Sequence, residues 1–187
     1  YLGSEAMGLR ATDLSVNLSI AAWPWPDYMD ADSRDKGIVV RTSSYTRHHV
    51  NITMCKAKAN GNYINSILAL HEALASGADE ALLLDNEGYV AEGSGENFFL
   101  ASRGKLYTPE LTSCLDGITR NTIFHLADEL GISIEERRIT RDEVYIADEA
   151  FFTGTAAEVL PIRELDGRVI GEGERGPITE ALQNAYF

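Results

Sequence analysis

Two lysines, Lys56 and Lys58, stand among small residues in the run Lys56-Ala57-Lys58-Ala59-Asn60-Gly61-Asn62-Tyr63, just ahead of a helical pattern. A ligand can approach an amine closely in such surroundings. Desolvated or set near another cation, the amine loses basicity and becomes a usable nucleophile. The same residues also read as two solvated lysines on a loop. A second segment, Gly88-Tyr89-Val90-Ala91-Glu92-Gly93-Ser94-Gly95-Glu96-Asn97, puts a carboxylate at a strand end, followed by glycines that let backbone approach a ligand. A carboxylate there can keep a pyridine nitrogen protonated, which an electron-sink cofactor requires. A hairpin turn with surface acids is the plainer alternative. The third feature is a pair: Leu115-Asp116-Gly117-Ile118-Thr119-Arg120 and Thr153-Gly154-Thr155-Ala156-Ala157-Glu158, each a glycine turn followed by threonine. The first leads into a helix, whose free N–H groups and positive dipole end bind phosphate. Thr119 also suits an ordinary N-cap.

These segments need elements to hold them. Leu14, Val16, Leu18 and Ile20 alternate with polar residues, so Leu14 to Ala22 reads as a strand. It ends at Trp23-Pro24-Trp25-Pro26, because proline cannot donate to a ladder. Residues 30–36 are charged and read as a surface loop, and Gly37 to Ser43 as a second strand. Tyr63, Ile67, Leu70 and Leu74 share one face of a helix over Asn62 to Ser76, stopped by Gly77. Short strands follow at Ala81 to Leu84, Tyr89 to Ala91, Phe98 to Ala101 and Lys105 to Tyr107, separated by turn signals. A helix over Asn121 to Leu130, strands at Ile132 to Arg138 and Ala150 to Thr153, and a last helix from Pro177 complete the pattern. Strands and helices without strict alternation imply an α+β or barrel-like α/β domain.

Composition narrows the class. The 187 residues carry a net charge of −13, which argues against a nucleic-acid surface. Any phosphate must be held by local geometry. No apolar run reaches the roughly 20 residues of a membrane helix. Cys55 and Cys114 make no disulfide pattern and fit a reducing, cytoplasmic compartment. His48 and His49 are adjacent and would point to opposite faces of an extended segment, a poor metal pair. Solvated or hydrogen-bonded roles are expected for all four histidines, and no metal site is expected.

In this order the segments resemble the large domain of the fold-type IV pyridoxal-phosphate enzymes, and within them the branched-chain amino acid aminotransferases. The most specific stretches are AKANGNYINS (Ala57 to Ser66), EGYVAEGSGENFF (Glu87 to Phe99), LDGITR (Leu115 to Arg120), ADEAFFTGTAAEV (Ala147 to Val159) and GPIT (Gly176 to Thr179). The resemblance implies a pseudo-barrel of strands with surrounding helices, with residues 1–187 forming the large cofactor-binding domain. The family's N-terminal small domain, which supplies a phosphate-binding arginine, has no counterpart in this sequence. By resemblance Lys58 binds pyridoxal 5'-phosphate covalently and acts as the catalytic base. Tyr63 would hydrogen-bond its phenolic oxygen and Glu92 its ring nitrogen. Leu115, Gly117, Ile118, Thr119 and Thr155 would surround the phosphate. Thr155 and Ala156 would meet the substrate carboxylate, and Trp25 and Tyr28 would enclose an aliphatic side chain.

The implied reaction moves an amino group between Leu, Ile or Val and 2-oxoglutarate, with amino acids and 2-oxo acids as substrates. The implied assembly is a homodimer with no nucleic-acid or membrane partner. D-amino acid transaminase and aminodeoxychorismate lyase share the fold, but the G-S-G-E-N run resembles the branched-chain group more. A cofactor-binding piece without catalysis is the remaining reading, because the small domain is missing.

Overall fold

The computed structural model describes every residue except 25–28 and 30–31. A nine-stranded mixed sheet organises the chain. The strands are β1 (Ile38–Thr42), β2 (Glu80–Leu84), β3 (Val90–Gly93), β4 (Asn97–Ser102), β5 (Lys105–Thr108), β6 (Ile134–Glu136), β7 (Glu149–Gly154), β8 (Glu158–Leu165) and β9 (Arg168–Val169). The helices are α1 (Ser33–Lys36), α2 (Tyr63–Ala75), α3 (Ile118–Glu129), α4 (Arg141–Tyr145) and α5 (Pro177–Tyr186). Strand order runs β3-β2-β1-β8-β7-β4, and a further pairing of β3 with β4 closes these six into a ring. β5 and β6 extend outward from β4, and β9 pairs with β8.

Closure follows from side-chain alternation, because successive residues of a strand face opposite sides. Ile38 and Val40, Leu82, Val90, Phe98 and Leu100, Phe152, Leu160 and Ile162 feed one shared core. The residues between them face outward. Phe99, Phe151 and Val159 meet Ile123 and Ala127 of α3 and Leu182 of α5. Ala81 and Leu83 meet Ala69 and Ala73 of α2. The aromatic pairs obey the same division. Phe98 meets Phe152 edge-on in the first core with centroids 5.9 Å apart, and Phe99 stacks on Phe151 in the second at 5.1 Å.

Several expectations are corrected. Leu14 to Ala22 forms no strand: a single bridge joins Leu2 to Val16, and Val16, Leu18 and Ile20 are exposed. Alternation makes a strand only where a neighbouring strand continues the ladder, and among the described residues only Tyr1 to Gly3 pair with this segment, through Ser15 to Asn17. The charged stretch before β1 contains the short helix α1 rather than loop alone. The strand expected over Ile132 to Arg138 shrinks to the three residues of β6. α3 begins at Ile118 with Gly117 as its N-cap, so Thr119 lies inside the first turn and is not the cap. α2 packs on the sheet through Ser66, Ala69 and Ala73, leaving Ile64, Ile67, Leu68 and Leu74 exposed. The small residues win that face because they let the helix axis approach the strands closely. The long strand β8, central to the ring, lies outside the strands that the sequence pattern marks.

Candidate active site

The cleft forms where β3, the start of α2 and the loop before α3 meet. It is lined by Arg47, Ala57, Tyr63, Glu92, Ser94, Gly95 and Leu115. Tyr63 opens α2, directly after the 3-10 turn Asn60–Asn62. The Asn62 side chain ties that turn back to the Met54 and Ala57 carbonyls at 3.1 and 2.9 Å, which shapes the lysine segment.

Lys56 and Lys58 are placed differently. Lys56 Nζ donates to the carbonyls of Leu111 and, at 2.9 Å, Cys114, so it clamps the loop before α3. Lys58 is exposed and makes no hydrogen bond or ion pair among the described residues. Its chain neighbour Ala57 lines the cleft, and Lys58 itself does not. Of the two amines, Lys58 is the one not committed to holding structure.

Glu92 lies on β3 and is 5% exposed. Its Oε1 is 2.7 Å from Arg47 Nε, and its Oε2 accepts the Leu115 N–H at 3.1 Å. Burial raises its pKa above the ordinary carboxylate value, opposed by Arg47, the Leu115 amide and Lys56. Cys114, on the same loop, is pushed up to about 12 by burial and by the neighbouring Glu92, so it stays a neutral thiol.

Asn97 links the Glu92 segment to both glycine turns of the pair. It stands opposite Glu92 across β3 and β4, and opposite Thr153 across β4 and β7. Its side-chain amide donates to the Leu115 carbonyl at 2.8 Å. Its side-chain oxygen lies where a Cβ on Gly117 would fall, so only glycine lets the loop seat on it. α3 therefore starts directly after the residue that seats on Asn97, and no side chain caps its first turn. Thr119 is buried there and Ile118 exposed. Thr155 and Ala156 are exposed in the turn between β7 and β8, whose Gly154 packs against the Gly95 carbonyl. Of the residues expected around a cofactor, Tyr63, Glu92 and Leu115 line the cleft, whereas Gly117, Ile118, Thr119, Thr155 and Ala156 are not part of its lining. The two aromatic candidates Trp25 and Tyr28 lie outside the described residues.

Sequence reasoning missed Arg47 and the scaffold role of Asn97. An arginine in the link after β1 carries no motif. His48, expected to be solvated or hydrogen-bonded, is half-buried; its Nε2 has no partner among the described residues, and burial together with Arg47 lowers its pKa.

Comparison with known proteins decides the family. The model of the amino-transferase class IV family matches residues 2–165. The chain belongs to the class IV aminotransferases. A branched-chain-amino-acid aminotransferase of Pseudomonas aeruginosa is 67% identical over 187 residues, covering all of this chain and 61% of that protein. Among solved structures, the branched-chain aminotransferase of Thermoproteus uzoniensis with norvaline matches with a TM-score of 0.93 and 45% identity, over the whole of this chain and 61% of that one. The branched-chain amino acid aminotransferase of Thermobaculum terrenum in its PLP form matches with a TM-score of 0.79 and 45% identity, over 81% of this chain and 50% of that one. This chain thus spans about six-tenths of the curated relatives it matches. Its closed ring of strands with outer helices is the fold-type IV aminotransferase architecture.

Proposed function

We propose that the protein carrying this chain is a pyridoxal-phosphate-dependent transaminase exchanging the amino group of Leu, Ile or Val with 2-oxoglutarate. The buried Glu92 carboxylate sharing one cleft with Tyr63 is the observation that supports the reading most. Pyridoxal phosphate, when bound, supplies a cationic ring that takes up charge from the substrate's α-carbon. Glu92 holds the proton on the ring nitrogen. The Tyr63 hydroxyl donates to the phenolic oxygen. The amides of Ile118 and Thr119, the Thr119 hydroxyl and Thr155, beside Leu115 and Gly117, anchor the phosphate at the start of α3. Lys58 would carry the cofactor, and its amine, once freed, would be the base placed to move the proton at the substrate's α-carbon. The amides at Thr155 and Ala156 orient the substrate carboxylate, and Trp25 and Tyr28 border the aliphatic side chain. The 67% identity to the Pseudomonas aeruginosa enzyme supports branched-chain substrates. A homodimer is part of the proposal, supported by the exposed apolar residues of α2. The two free, buried cysteines fit a reducing cytoplasm.

Reduction with borohydride in the presence of pyridoxal phosphate, then digestion and mass spectrometry, tests the assignment. The adduct is expected on Lys58 and absent from Lys58→Ala. An adduct on Lys56, or scattered over surface lysines, overturns it. A panel of branched-chain, D-amino and aminodeoxychorismate substrates then tests the reaction.

A further inference from the structure

We propose that Arg47 is a positioning residue that holds the Glu92 carboxylate as an anion facing the cleft. The inference rests on the transaminase reading for its purpose, but not for its geometry. Arg47 is 4% exposed, a buried cation in a chain of net charge −13. Its backbone is pinned, because its N–H donates to the Leu84 carbonyl at 2.8 Å at the end of β2. Nε reaches Glu92 Oε1 at 2.7 Å and donates to the Ser113 carbonyl at 3.3 Å. One side chain therefore joins the link after β1, strand β3 and the loop that leads to α3. The second oxygen of Glu92 is taken by the Leu115 amide of that same loop.

Among the described residues the charged and titratable groups that bear on Glu92 are Arg47, Lys56 and Cys114, with Tyr63 in the same cleft. Cys114 is a neutral thiol, and Lys56 is occupied with the Leu111 and Cys114 carbonyls. Arg47 is the cation in direct contact. A carboxylate stripped of water and left without a cation takes up a proton instead of staying charged. A neutral Glu92 could not counterbalance a protonated ring nitrogen. Arginine suits the task better than lysine, since its guanidinium is always charged and less strongly hydrated.

The test follows the Glu92 carboxyl itself by carbon-13 NMR in the cofactor-free protein, with the signal assigned by its loss in Glu92→Gln. Arg47→Met is expected to move its titration midpoint up by about one pH unit or more, and Arg47→Lys to restore most of the wild-type position. An unmoved midpoint in Arg47→Met overturns the proposal. If Arg47→Met does not fold, the double variant Arg47→Met with Glu92→Gln decides. Recovered folding supports the proposal, since the penalty then came from the unpaired carboxylate. Equal failure assigns Arg47 to packing alone and overturns it. In the loaded protein, the acid limb of the activity profile is expected to shift upward with the midpoint in Arg47→Met. Failure of the wild-type protein to bind pyridoxal phosphate at Lys58 would sink the transaminase reading, while the carboxyl titration would still report what Arg47 does.

Discussion

Removing water from Glu92 favours its neutral form, and the neighbouring Arg47 offsets that preference without cancelling it. With a folded pKa above the unfolded one, the native state holds a proton that the unfolded chain has already lost over the interval between the two values. The unfolded state binds fewer protons there, so stability falls as pH rises through that window. Glu92→Gln cannot ionise and lacks this fall. Urea unfolding at a series of pH values is expected to give a flatter stability profile for Glu92→Gln than for the wild type across the window. Parallel profiles would mean that Glu92 is not desolvated in solution as the structure has it. The residue type and its place before two glycines were legible in the sequence. Its burial and its cation were not, because both come from segments distant in the chain.

Among the elements, α5 shows how a helix end is satisfied from outside its own sequence. Gly176 precedes Pro177, and no side chain of α5 caps it. Glu149 of β7 takes that part: its carboxylate accepts the N–H of Ile178 at 2.9 Å, the N–H of Thr179 at 2.8 Å and the Thr179 hydroxyl at 2.7 Å. An anion at a helix N-terminus also meets the positive end of its dipole. A Cβ on Gly176 would run into the same carboxyl group. Glu149→Ala leaves buried donors unsatisfied, at a cost of about 1–3 kcal/mol. Chemical denaturation should show that loss, and hydrogen exchange should show faster exchange in the first turn of α5. Unchanged stability and exchange would mean that the helix is held by Leu182 and its apolar neighbours alone. The Pro177 signal placed this helix correctly from sequence, whereas its cap lies on another strand and left no local trace.

At the scale of the whole molecule, the apolar surface is unevenly covered. Ile64, Ile67, Leu68 and Leu74 on α2 are exposed, and so are Val16, Leu18 and Ile20. Contiguous exposed apolar residues mark surfaces that another protein or another part of the protein covers. For the protein carrying this chain, sedimentation is expected to give a dimer across the micromolar range. A monomer at every concentration would remove the homodimer from the proposal.

Much of this chain was settled by local chemistry. Short apolar runs bounded by turn residues placed β1 to β5 and β7 to within a residue or two, and glycine and proline marked where α2, α3 and α5 stop or start. Those signals are short-range: periodicity, turn residues and caps act over a few positions. Three matters depended on the tertiary structure. The exposed periodicity of Leu14 to Ala22 produced no strand, because a strand needs a partner. The apolar stripe of α2 turned outward, because closeness to the sheet favoured Ser66, Ala69 and Ala73. The cleft itself exists because the pairing of β3 with β4 closes the ring and sets Asn97 beside Glu92, the loop before α3 and the end of β7. Those contacts join residues far apart in the chain, and their energy depends on closing long loops around a shared core, which no local pattern encodes.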